Sequence, residues 1–354
     1  MKRTSVIRAV TAAAIVAAVA IPASSAFGSG SLTGAGSTLV QPLVQKVFGP
    51  DFQSSSGNQV AFSGVGSGAG IAAITGRSVD FGASDAPLTT SQASSCGCVE
   101  IAWALSATGP AFNISGLKTL NLSGPVLAGI YLGTITTWND PQIQKINKGV
   151  KLPAEKIVPV FRSDGSGDTF AFTNYLSHVS SAWKSKVGLG TQVNFPVGTG
   201  GKGNSGVAAI ISSTEGAIGY VSTFYVRGNG LTQATVENSA GKFTYPYIQD
   251  IAAAAALVTH VSANSQISIV NPSWTPPKKK GAKLTTVEKL QQIAYPIATY
   301  TYAIVPSQPK QASLLQQFLN FAITPAEQKK GASLTFAPLP ASVVTVDKTE
   351  IGSL

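Results

Sequence analysis

The 354-residue chain is poor in the side chains that usually carry chemistry: it has two cysteines, two histidines and one methionine. With His178 and His260 as the only histidines and no second cysteine pair, a structural zinc site lacks ligands. Neither histidine lies in a recognisable catalytic motif, so a Ser–His–Asp hydrolase or a metal phosphatase is poorly supported. Charged residues make up only 11% of the chain, and no basic run is interleaved with aromatics at nucleic-acid spacing, so no nucleic-acid partner is expected. Beyond the N-terminus, no segment reads as a membrane span.

What is present describes a globular, exported protein. Hydrophobic residues reach 44%, and the length allows two domains with a sizeable core. Lys2, Arg3 and Arg8 precede a short apolar stretch, Ala9 to Ile21, and small residues end at Ala26. This predicts a signal peptide over residues 1–26 and an extracytoplasmic mature chain, in the periplasm, at the cell surface or secreted. A retained N-terminal anchor is the alternative. The formal charge is +10, and the densest basic run, Lys278 to Lys283, reads as a solvated loop rather than a contact for an acidic surface. Cys96 and Cys98 flank one glycine in "SSCGCVE". Outside the cytoplasm that spacing suggests a small disulfide loop, and a free dithiol is the other reading.

Short apolar strands alternate with helical patterns, which predicts α/β architecture. "QVAFSGVG", "VDFGASDAP", "KIVPVFRSDGSG", "GAIGYVSTFYV" and "YPIATYTYAIV" read as strands. Phe172, Tyr175, Leu176 and Val179 fall on one helical face. Three stretches share a design: "GAGSTLVQPL", "GVGSGAGIAA" and "DGSGDTFAF" each set glycines and a hydroxyl residue before a helix. A helix start offers unpaired N–H groups and a partial positive charge, which suit an oxyanion. None of these loops has the lysine of a P-loop or the glycine spacing of a dinucleotide fingerprint.

The runs "LTGAGST", "GVGSGAGIAAI", "VDFGASDAPL", "IYLGTITTWND", "RSDGSG", "FTNYL", "GGKGNSGVAAII" and "GAIGYV" occur in that order. With them the chain resembles the phosphate-binding proteins of bacterial high-affinity phosphate ABC importers. The resemblance implies a two-domain type II periplasmic binding protein fold with the ligand in the interdomain cleft. It implies one lobe from 27–106 plus 298–354 and a second from 107–297. It further implies a monomeric receptor, not an enzyme, that needs no cofactor and delivers inorganic phosphate to permease subunits in the membrane. Alternatives are the same fold binding arsenate, or a secreted phosphate scavenger or phosphatase.

Carried over by residue, the resemblance gives Thr38 and the Leu39 amide to the anion at the first helix start, although the family often has an aromatic where Leu39 stands. Ser67 donates at the second. Asp85 accepts a hydrogen bond from the proton on phosphate, and so disfavours unprotonated sulfate; alternatively it caps a turn before Pro87. Arg162 supplies fixed positive charge, held by Asp164; the alternative is a surface ion pair. Ser166 and the Gly167 amide donate at the third start. The family's next residue is threonine, and here it is Asp168. Its carboxylate either sits beside the anion or caps a helix beginning near Thr169. Gly200, Gly201, Gly203 and Gly219 read as packing and turn positions.

Overall fold

The computed structural model describes residues 30–258, 260–262, 267–277 and 283–354. The expected signal peptide and most of the basic run Lys278 to Lys283 lie outside the described residues. The strands in chain order are β1 (Ser31–Gly36), β2 (Gln59–Gly64), β3 (Phe81–Ser84), β4 (Cys98–Phe112), β5 (Asn121–Leu122) and β6 (Val158–Arg162). They continue with β7 (Thr199–Gly201), β8 (Ala217–Ser222), β9 (Thr232–Gln233), β10 (Thr235–Glu237), β11 (Phe243–Thr244) and β12 (Ala298–Pro306). One curled sheet runs β2-β1-β3-β12-β4-β8-β6-β7, with β9 added against β4, while β5, β10 and β11 form a small second sheet.

The long strand β4 joins the two halves of the main sheet. From Cys98 to Ala107 it pairs antiparallel with β12, and from Thr108 to Phe112 with β8. Its sequence is almost continuously apolar because both faces are covered. On one side β1 lies parallel to β2 and β3; on the other β6 lies parallel to β7 and β8. Each parallel run needs helical crossovers, and these bring helix starts to the strand ends.

The helices follow the expected faces. Leu43, Val44 and Val47 are buried along a helical segment over 41–56, which includes a π turn at Val44–Phe48, and Val40 is buried just before it. Helix Ser67–Thr75 closes at Gly76, and helix Gly167–Val179 buries Phe172, Tyr175 and Leu176. One expected strand is shorter. "GAIGYVSTFYV" stays extended only to Ser222, and Thr223–Gly228 is helical. The Ser222 amide donates to the Asn204 side chain at 2.8 Å, so the chain leaves the ladder there.

Aromatic residues pack each half. Trp103 meets Phe48, Phe81 and Phe318 on the β1–β3 side. Tyr220 stacks on Phe172 at 4.4 Å and approaches Tyr131 and Phe195 on the other. No helix among the described residues is long and apolar enough to cross a membrane.

Candidate functional site

The three glycine-rich loops meet where β4 changes partner. Ser67 opens its helix, and its Oγ accepts from the Gly167 amide at 3.0 Å and the Asp85 amide at 3.4 Å. The Gly68 amide donates to the Gly165 carbonyl at 2.9 Å. Two glycines allow this approach. A Cβ on Gly167 would lie 2.4 Å from the Cβ of Asp85, and one on Gly66 would lie 2.3 Å from an Asp164 oxygen. Thr38 Oγ1 accepts from the Asn204 side-chain amide at 2.9 Å and its backbone amide at 3.3 Å. The Thr38 carbonyl accepts from the Tyr225 hydroxyl at 3.0 Å.

Arg162, at the end of β6, is 3% exposed. It donates to Asp164 through Nε at 2.8 Å and Nη2 at 2.5 Å, and to Asp168 through Nη1 at 2.6 Å. Burial works against its charge, but the Asp164 hydrogen bond and the Asp168 and Asp164 charges outweigh that and raise its pKa. Burial likewise acts to raise the Asp164 pKa, yet the Arg162 contacts prevail and hold it below the usual carboxylate range. Asp164 also accepts from the Gly203 amide at 2.9 Å. The pair is therefore an internal clamp and not a surface ion pair, with the guanidinium pinned in direction by a fork-to-fork contact.

Asp168 is not the helix cap. Ser166 is, with its Oγ accepting from the Thr169 amide at 3.3 Å. The helix begins at Gly167, two residues earlier than expected, so Asp168 stands inside its first turn and its carboxylate faces the cluster. There it accepts from Arg162, from the Thr108 hydroxyl at 2.5 Å and from the Asn204 side chain at 2.8 Å. The Ser166 hydroxyl lies 3.5 Å away.

Asp85 is the second buried acid, 1% exposed. It accepts from the Ser37 hydroxyl at 2.6 and 2.7 Å and from Thr301 at 2.7 Å. Burial, then the Asp168 charge, push its pKa up to about 7, against the opposing pull of Ser37, Thr301 and Arg162. A carboxyl so placed takes up or gives up a proton near neutrality. It is more than a turn cap, since its side chain ties the first loop to β12.

The expected residues thus collect in one place: Thr38, Ser67, Asp85, Arg162, Asp164, Ser166, Gly167 and Asp168. Leu39 joins through its backbone; its amide donates to Ser37 Oγ at 3.0 Å, and its side chain is buried in the core. The first helix starts later than the sequence suggests, with Thr38 in the turn that leads to Gln41. Sequence reasoning missed Thr108, Asn204, Tyr225 and Thr301, and it saw Ser37 only as a hydroxyl at the first helix start. Asn204 sits in the quoted run "GGKGNSGVAAII", and a buried amide at a helix start was the available signal. Thr108 and Thr301 lie on strands with no local pattern to distinguish them. Gly201 and Gly219 are packing positions as expected, with Val207 against both.

Among the described residues no group of three histidine, cysteine or acidic side chains could hold a metal ion. Cys96 and Cys98 are paired as a disulfide. The donors, the fixed guanidinium and a buried carboxyl able to accept a proton's hydrogen bond together have the chemistry to hold an oxyanion that carries a proton.

Comparison with known proteins shows the family. A PBP superfamily domain profile matches residues 22–326. The phosphate-binding protein PstS of Xylella fastidiosa (strain Temecula1 / ATCC 700964) is 37% identical over 314 residues, covering 88% of this chain and 82% of the relative. The Pasteurella multocida PstS is 35% identical, covering 88% and 86%. Among solved structures, a phosphate ABC transporter substrate-binding protein from Clostridium perfringens, with phosphate bound, aligns at a TM-score of 0.59 and 17% identity, over 88% of this chain and 100% of that one. A phosphate-bound periplasmic phosphate-binding protein, PfluDING, aligns at 0.68 and 22% identity, over 89% and 92%. At these identities the two structures speak for the fold.

Proposed function

Because the chain belongs to the PstS family of phosphate-binding proteins, within the PBP superfamily, we propose that it is an extracytoplasmic receptor that captures inorganic phosphate and passes it to an ABC permease. The observation that carries the reading is Asp85, a buried carboxyl held by Ser37 and Thr301 and set against the Gly167 helix start. Phosphate brings both a negative charge for the guanidinium and amides and a proton for the carboxyl. Sulfate brings only the first, and its charge would face the Asp85 carboxylate with no proton between them, at about 1 kcal/mol or more for like charges about 4 Å apart.

In this reading Thr38, the Leu39 amide, Ser67, Ser166 and the Gly167 amide donate to the anion, Arg162 holds its charge, and Asp164 aims Arg162. Asn204 and Thr108 are added to that set. The Asp168 carboxylate holds the very donors a phosphate oxygen would take, so ligand and side chain share them. The lobes are 27–106 plus 298–354 and 107–297. What supports this division is the exchange of β4 partners between Ala107 and Thr108, and the start of β12 at Ala298. Closure of these lobes is the expected motion. The mature receptor works outside the cytoplasm, after removal of residues 1–26.

Calorimetric titration with phosphate, arsenate and sulfate at two pH values tests the reading. Phosphate should bind and sulfate should not. Equal binding of sulfate would overturn the role of Asp85, and tighter binding of arsenate would reassign the ligand. Turnover of a phosphate ester by the purified protein would overturn the receptor reading in favour of an enzyme.

A further inference from the structure

The cysteine pair lies in the β1–β3 half, outside the phosphate-site residues, and its surroundings are built for chemistry rather than for stapling. The two cysteines are separated by Gly97 alone, with Cα atoms 5.1 Å apart. A bridge over so short a loop removes little freedom from the unfolded chain, so it adds little stability by closure. The turn is also held without it. The Gly97 amide donates to the Ala93 carbonyl at 2.8 Å, and Ser307 donates to the Gly97 carbonyl through its amide and its hydroxyl, both at 3.0 Å. Cys98 is in register with Pro306 at the start of β4. Opening the bridge therefore leaves the turn that carries the two cysteines in place.

Arg77 covers the pair. Its Nη1 lies 3.5 Å from Cys96 Sγ and 3.4 Å from Cys98 Sγ, and its Nη2 donates to the Cys96 carbonyl at 2.6 Å. Nη1 also donates to the Ile74 carbonyl at 3.0 Å, which fixes the group in place. Arg77 has a φ of +54°, in the left-handed region that non-glycine residues seldom adopt. A cation beside sulfur stabilises the thiolate, which is both the nucleophile and the leaving group of exchange. Cys96 is buried at 3% exposure and Cys98 is more open.

We propose that Cys96 and Cys98 form a thiol–disulfide exchange site for low-molecular-weight thiols, with Arg77 stabilising the released thiolate. An external thiolate attacks Cys98 Sγ, the sulfur–sulfur bond breaks, and Cys96 leaves as a thiolate beside Nη1. A second external thiolate then attacks the external sulfur of the mixed disulfide. This releases the small-molecule disulfide and leaves Cys98 as a second thiolate. Two external thiols are oxidised and one protein disulfide is reduced, and the reverse sequence oxidises the dithiol.

The test equilibrates the purified mature protein in glutathione buffers of graded ratio, traps thiols with an alkylating agent and weighs the intact chain. The wild-type pair should convert between disulfide and dithiol within that range while the thermal unfolding midpoint stays that of a folded protein. Arg77→Asn tolerates the backbone and removes the charge. It should shift the dithiol-to-disulfide ratio at least about threefold toward disulfide, and slow alkylation of the reduced pair near neutral pH by a similar factor. Arg77→Lys, which keeps charge without the planar fork, should fall between. A wild-type pair that stays fully oxidised throughout the range overturns the proposal. So does an Arg77→Asn protein that matches wild type in both ratio and rate.

Discussion

Asp168→Thr sets stability and affinity against each other, and the structure gives a size to both. The carboxylate accepts from Arg162 at 2.6 Å, Thr108 at 2.5 Å and Asn204 at 2.8 Å, and is 1% exposed. Removing one member of a buried ion pair costs about 3–5 kcal/mol, because the other charge is left without it. Arg162 keeps two bonds to Asp164, so the loss without phosphate should sit near the lower end, about 3 kcal/mol. With phosphate the sign reverses. A carboxylate about 4 Å from the anion repels it by roughly 1 kcal/mol in a water-like medium and about 4 kcal/mol at an effective dielectric near 20. Threonine removes that repulsion and adds a hydroxyl donor. Affinity at pH 8 should therefore rise, from several-fold to several hundred-fold. Calorimetry at pH 8 and thermal unfolding with and without phosphate measure the two effects on the same samples. Unchanged or weaker phosphate binding by the variant would refute the reasoning. The carboxylate would then be a partner of the ligand, accepting a proton from it, rather than a competitor for its donors.

Arg162→Ala should weaken phosphate binding by about tenfold to over a hundredfold, the equivalent of roughly 1.5–3 kcal/mol for a charge-assisted contact; parent-like calorimetry would mean the anion binds elsewhere. Asp85→Asn should change how stability depends on pH in phosphate-free buffer. The Asp85 pKa is raised by burial from 3.8 to about 7, so the folded protein keeps a proton that the unfolded chain has lost between those values. That contribution is full below the lower value and disappears as pH rises through the upper one. Wild-type stability relative to the variant should fall across this window by at most about 4 kcal/mol, and a constant difference in denaturant unfolding would contradict it. Tyr225→Phe removes the 3.0 Å hydrogen bond to the Thr38 carbonyl. At about 1 kcal/mol for a neutral bond, stopped-flow should show phosphate leaving roughly fivefold faster with little change in association.

Much of the architecture could be read from short-range signals. Alternating apolar runs and glycine stops gave β2, β3, β6 and β12, and a helical face gave Phe172, Tyr175 and Leu176. The strand end at Ser222 could not be read, because it depends on the Asn204 side chain, 18 residues earlier. The site divides in the same way. Ser67, Asp85, Arg162 and Ser166 lie in loops whose composition announces them. Thr108 and Thr301 come from strand interiors and reach the site only through pairing with distant elements, 60 and 216 residues from the acids they touch. Asp168 was visible as an oddity, but its direction was not. A helix two residues longer at its start turns the side chain from a cap into a partner of Arg162.

The change of partner along β4 also determines where a reporter would be useful. Residues up to Ala107 are laced to β12 and those from Thr108 to β8. A dye pair replacing Lys46 and Phe224, whose ammonium and ring lie 5.0 Å apart, would span the two proposed lobes and report their proposed closure. A second pair, confined to β12 and the first part of β4, would keep a constant separation. It would serve as a ruler inside the same molecule. The ratio of the two signals would be independent of dye concentration and lamp drift, and the strand would give an optical phosphate sensor its own calibration.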